Sequence, residues 1–127
     1  MIYEEEKKIR IEDNSLELDK NNTLNVIKVG HADGRIANEI KDVSFRMINS
    51  VKVKVDDFID INKTEKASPE AKKVWKKLSE LEKFRKIVII GLHLVSKVLV
   101  TFVIKSSGKK DFRFFNNKEL AIKWLIN

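Results

Sequence analysis

Near the N-terminus apolar and polar side chains alternate: Ile9 and Ile11, Leu16 and Leu18, then Leu24 and Val26, with Val29 less regular. A period of two marks strands with one buried face. Asn21 and Asn22 tolerate left-handed backbone angles, so they supply a hairpin turn between antiparallel strands at residues 15–20 and 23–29. The earlier Ile9-Arg10-Ile11-Glu12 piece either extends the first strand or forms an edge of its own. Residues 30–35 read as a loop with Asp33-Gly34 as turn chemistry. The spacing then changes: Ile36, Ile40, Val43, Met47 and Val51 form one stripe of a helix at 36–50, with Phe45 alone on its opposite side. A strand follows at 53–61, where the phase slip at Asp56-Asp57 implies a bulge or a late start, and then a loop over 62–67. Ser68-Pro69-Glu70 opens the next helix with a capping hydroxyl, a proline at the first turn and an anion near the positive dipole end. Ala71, Val74, Trp75, Leu78 and Leu81 make its buried face, and the lysines lie off that stripe.

The densest apolar run begins at Ile87. Residues 87–90 are β-branched without alternation, as in a strand covered on both faces. Gly91 can take positive φ and turn the backbone sharply; Leu92, Val95, Val98, Leu99, Phe102 and Val103 then recur at helical spacing until Ser106, Ser107 and Gly108 end it. A short aromatic strand at 111–115 and a helix from Lys118, with Leu120, Ala121, Trp124 and Leu125 inward, complete the pattern. Trp75 and Trp124 both read as core. Strands alternating with helices of this length imply an α/β domain with a mixed, mostly parallel five-stranded sheet, an N-terminal antiparallel hairpin and about four flanking helices.

Length and composition refine this picture. A chain of 127 residues makes one domain with a real core. The absence of cysteine excludes disulfides and thiolate metal sites, and points to a reducing, cytoplasmic setting. The charged start, MIYEEEKK, lacks the apolar segment of a secretory signal. Residues 87–104 are the one candidate membrane span, but Lys97 near its middle would cost about 2.5–3.5 kcal/mol at a bilayer centre, so the run reads as strand plus helix. The net charge of +7 is concentrated in residues 63–127, with sixteen basic and six acidic groups. Such asymmetry attracts polyanions, but 21 of the 26 basic residues are lysine, and specific phosphate or base recognition favours arginine, so only non-specific nucleic-acid attraction is expected.

Chemistry-bearing residues are sparse. Ligands in open parallel sheets gather at the C-terminal ends of strands, which draws attention to His31, Asp60 with Asn62, His93 and Asn116. These loops also need polar groups for caps and turns, and no metal or cofactor is expected. Neither a dinucleotide fingerprint nor a phosphate loop is present. On the helix after Gly91, Leu94, Val100 and Ile104 fall among polar residues, an apolar strip that calls for a cover. A homodimer, with Phe45 contributing nearby, is the expected cover; an apolar ligand, or a neighbouring helix or loop of the same chain, is the alternative.

Three blocks, SPEAKKVW, KFRKIVIIG and FRFFNNKELAIKWL, resemble the bacterial SpoIIAA-like proteins, also described as STAS-type or CRAL-TRIO-like domains, over roughly residues 15–126. The resemblance implies a single SpoIIAA-like βα superhelix over residues 1–127. Some members of the wider family are anti-sigma factor antagonists phosphorylated on a serine at the start of the helix after the third strand. Ser68 stands nearest that place, but the Asp-Ser-Ser-Gly signature is replaced here by Lys66-Ala67-Ser68-Pro69. Other members have been proposed as carriers of apolar compounds. The expectation is a non-enzymatic binding or regulatory domain, carrying an apolar small molecule or lipid or engaging a protein partner. The alternatives are a small hydrolase or transferase using the His31, Asp60 and His93 loops, or a cationic protein docking on nucleic acid or a membrane surface.

Overall fold

The computed structural model describes residues 8–91, 104–105 and 111–127. Among these, six strands form one sheet in sequence order: β1 (Lys8–Ile11), β2 (Asn14–Leu18), β3 (Thr23–Ala32), β4 (Val55–Ala67), β5 (Phe84–Ile90) and β6 (Phe112–Phe115). β1, β2 and β3 pair antiparallel, and β3 to β6 run parallel. The described helices are α1 (Gly34–Ile48), α2 (Pro69–Ser79) and α3 (Lys118–Ile126), and Ile104 and Lys105 are also helical. The fold class is as expected, with one strand more than expected. Residues 8–11 make the extra strand, because Ile9 pairs with Leu16 while Glu12, at φ 53, turns the chain into β2. The expected helix after Gly91 lies outside the described residues, apart from its last two.

Local chemistry sets the boundaries. Asn22 has φ 57, and the Asp19 carboxylate accepts hydrogen bonds from the amides of Asn21 and Thr23, closing the β2–β3 turn. The segment expected as a loop at 30–35 is divided otherwise. β3 continues to Ala32 by way of Gly30 at φ 74, next to shifts of register against β4. Asp33 then caps α1 by accepting from Ile36 N at 2.9 Å. Residues 62–67 likewise belong to β4, held by parallel pairing as far as Ala32 opposite Ala67. Their polar composition reflects exposure along the end of a long strand. Ser68 Oγ accepts from Ala71 N at 3.1 Å, as its sequence context requires of a cap.

Alternation along the interior strands divides the core into two layers. Val55 and Ile59 of β4 and Ile87 and Ile89 of β5 pack on one face with Ile40, Val43 and Met47 of α1 and Leu78 of α2. Phe58, Val88 and Ile90 pack on the reverse face against Ala121 and Leu125 of α3. β5 is therefore buried on both sides, which accounts for its unbroken β-branched run. Gly91 does not use positive φ. It is required by close approach: a Cβ there would lie 3.0 Å from Ile61 Cγ1 and 3.4 Å from Phe114 Cε2.

Candidate functional site: an apolar cavity with a half-buried lysine and a buried aspartate

A cavity of about 150 Å³ lies between the sheet face and α2. Ile59 and Ile61 of β4, Ile87 and Ile89 of β5, and Phe112 of β6 contribute its floor, while Ile40 of α1 and Trp75 and Leu78 of α2 complete the apolar wall. Ala32 and Ala67, partners across β3 and β4, line the same space.

The polar side chains of this wall fall into two groups. Asn14 is satisfied: Nδ2 donates to Ile11 O at 3.1 Å and Oδ1 accepts from Val29 N at 2.8 Å. Thr64 Oγ1 donates to Ile61 O at 2.7 Å, and Ser79 Oγ donates to Lys76 O at 2.6 Å. Asp57 is different. It is 3% exposed, and its Oδ1 is buried with no hydrogen-bond partner. Lys28, also in the wall, holds its ammonium 3.5 Å from the centroid of the Trp75 ring. Lys28 and Asp57 do not close into a direct ion pair.

Burial acts on both groups in the direction that disfavours charge. Desolvation pushes the Asp57 carboxyl up to about 7; Lys28 pulls it back in part, and the neighbouring Asp56 adds to the rise. Desolvation lowers the Lys28 ammonium to about 8, opposed by the Asp57 charge. Both groups thus titrate near neutral pH inside an apolar enclosure.

The adjacent aspartate provides the contrast. Successive residues of a strand face opposite ways, so Asp56 points to the reverse layer, where it is fully engaged. Arg85 Nε donates to Asp56 Oδ1 at 2.9 Å and Arg85 Nη2 to Asp56 Oδ2 at 2.7 Å; Lys86 N also donates to Asp56 Oδ1. Arg85 Nη2 and Lys86 Nζ further donate to the carbonyls of Leu125 and Trp124 at the end of α3. One aspartate ties a helix to the sheet, and the other lines the cavity with its Oδ1 unpaired.

The residues singled out from sequence lie elsewhere. His31 is exposed near the end of β3. Asp60 lies on the reverse face, accepts from Asn62 N at 2.9 Å and borders an open groove beside α3. Its neighbour in β3 is Ile27, four residues before His31 and so roughly 13 Å away along the strand. The structure does not bring His31 and Asp60 together. His93, Leu94 and Val100 lie outside the described residues. Ile104, part of the strip expected to be covered, is half-buried and packs against the main core of the same chain. Phe45 is 53% exposed, and Leu120, Ile122 and Ile126 of α3 are exposed as well. Ser68 is half-buried and occupied as a helix cap. Trp75 and Trp124, expected in the core, are each half-buried: Trp75 faces Lys28, and Trp124 packs 6.0 Å from Phe115 between ring centroids. Among the described residues no group of three His, Cys, Asp or Glu side chains could hold a metal, and no helix is long and apolar enough to cross a membrane.

A mixed sheet in this strand order, layered by helices on both faces, defines a SpoIIAA-like α/β domain. One solved structure that it resembles is an uncharacterized protein of the DUF3478 family from Shewanella loihica PV-4, described as having a SpoIIAA-like fold. The match has a TM-score of 0.65 at 20% identity and covers 93% of this chain and 90% of that one. At that identity the likeness establishes the fold. No family model and no curated protein matches the sequence.

Proposed function

We propose that this chain is a non-enzymatic binding domain that holds one small apolar molecule in the cavity between the sheet and α2. The observation that carries the reading is the cavity of about 150 Å³ with aliphatic and aromatic walls. A dry cavity of about that size accepts a benzene-sized guest in an otherwise rigid protein. The resemblance to a fold with proposed carriers of apolar compounds agrees with this reading. Among the described residues, His31 and Asp60 of the enzymatic alternative stand apart.

The test is titration of the full chain with toluene, followed by amide shifts in β3, β4 and α2. Saturable shifts confined to the cavity wall are expected. Replacing Ala32 and Ala67 together by Leu fills one end of the space and should abolish them while the fold persists by circular dichroism. Absence of saturable binding to the unaltered chain would overturn the reading.

A further inference from the structure

We infer that the molecule taken by this cavity is a small neutral ring compound bearing a hydroxyl group, of the phenol or cyclic alcohol class, whose hydroxyl donates a hydrogen bond to Asp57. This rests on the cavity being a binding site and adds the chemistry of its polar end.

The argument starts from what Asp57 lacks. A buried carboxylate without a partner forfeits the desolvation cost of a polar group, and native structures keep few of them. Asn14, Thr64 and Ser79, in the same wall, all have partners within the chain. Asp57 Oδ1 does not, although it belongs to a paired strand where an apolar side chain would satisfy the surroundings. The torsion that carries its two oxygens is broad and two-fold, so either oxygen can be presented to a guest. The missing component is a donor, and the cavity that Asp57 lines is where a donor can enter.

The charges on the page narrow the class. A guest carboxylate would be drawn to Lys28 but would sit against the Asp57 carboxyl, and a guest ammonium would be drawn to Asp57 but would sit against Lys28. Each adds a like charge and requires its own desolvation. A neutral hydroxyl requires neither. It donates to Asp57, and its ring occupies the aliphatic and aromatic wall made by Ile59, Ile87, Leu78 and Trp75. The volume of about 150 Å³ admits one six-membered ring with a small substituent and excludes a long acyl chain.

The experiment compares the full chain with Asp57→Leu, a near-isosteric change that removes the acceptor and leaves the apolar wall. Phenol, toluene and benzoate are titrated into each by calorimetry at pH 7.5. Comparing the two proteins cancels the different hydration of phenol and toluene. The preference for phenol over toluene should fall about tenfold or more in Asp57→Leu, the size expected for a hydrogen bond to a charged acceptor. Toluene binding should survive. If toluene binds both proteins and the preference does not change, the Asp57 anchor is overturned while the cavity reading stands. If none of the three probes binds the unaltered chain, both fall. Benzoate binding more tightly than phenol overturns the neutral class. Should Asp57→Leu fail to fold, Asp57→Val at the same β position serves in its place, with the same outcomes.

Discussion

Replacing Asp57 by Leu should stabilise the protein, and by an amount that depends on pH. Asp57 lies between Val55 and Ile59 on the inward phase of β4, is almost fully buried and has no hydrogen-bond donor on Oδ1. Its carboxyl is raised from 3.8 to about 7. A group bound more tightly to its proton in the folded state lowers stability as pH rises between the unfolded and folded values. Below about pH 4 the carboxyl is neutral in both states and ionisation costs nothing. Between there and about pH 7 the unfolded chain releases the proton and the folded one keeps it, so stability falls by up to about 1.4 kcal/mol per pH unit. The full interval gives a ceiling of about 4 kcal/mol. Part of the gain in the variant is offset, because Lys28 loses the carboxylate that holds its ammonium up against burial. Exchanges of buried ionic groups for apolar ones of similar shape gain about 1–4 kcal/mol, and the net expectation at pH 7.5 is about 1–3 kcal/mol.

Urea unfolding followed by far-ultraviolet circular dichroism at pH 4.5, 6.0 and 7.5, on both proteins, isolates Asp57 together with its coupling to Lys28, because the remaining titrating groups are shared. The difference should be largest at pH 7.5 and shrink toward pH 4.5. A variant less stable than the parent at pH 7.5 would refute the reasoning, since it would mean that Asp57 is satisfied in the folded chain. So would a difference that does not move with pH.

The neighbouring position should respond with opposite sign: Asp56→Asn breaks the bidentate Arg85 contact and loosens the end of α3. A loss of about 2 kcal/mol in urea is expected, moderated because Arg85 is 47% exposed. Raising pH through about 8 should discharge Lys28 over the Trp75 ring and change Trp75 emission in a Trp124→Phe background; Lys28→Met should abolish the transition. Ser68→Ala should cost about 1 kcal/mol through the lost cap of α2 and leave toluene binding unchanged, as measured by urea unfolding and calorimetry. Ile104→Lys should cost about 2 kcal/mol by placing an ammonium against the main core, without a change in solution mass by light scattering.

The two charged residues of the cavity violate the apolar phase of their strands. Lys28 follows Leu24 and Val26 at the inward period of β3, and Asp57 falls between Val55 and Ile59 at the inward period of β4. Read together they are two opposite charges on one buried face, whereas Asp56-Asp57 taken alone looks like a slip of register. A slip is in fact present between Val55 and Asp57 against β5, so the local inference was sound and concealed the more informative one. The hairpin at Asn22, the cap at Ser68 and the doubly buried β5 were readable because each depends on neighbours in sequence. The site was not, because a cavity is what remains when five strands and two helices pack without filling the space between them, and no single segment encodes that remainder. The same reasoning explains the misplaced attention on His31 and Asp60. Strand-end residues are near one another in sequence-derived topology, but alternation and strand length decide which face each occupies, and here they separate the two. Lys28 and Asp57 lie on different strands with no periodic relation between them, and it is parallel pairing of β3 with β4, Leu24 opposite Asp57, that sets the lysine and the carboxylate in the wall of one enclosure.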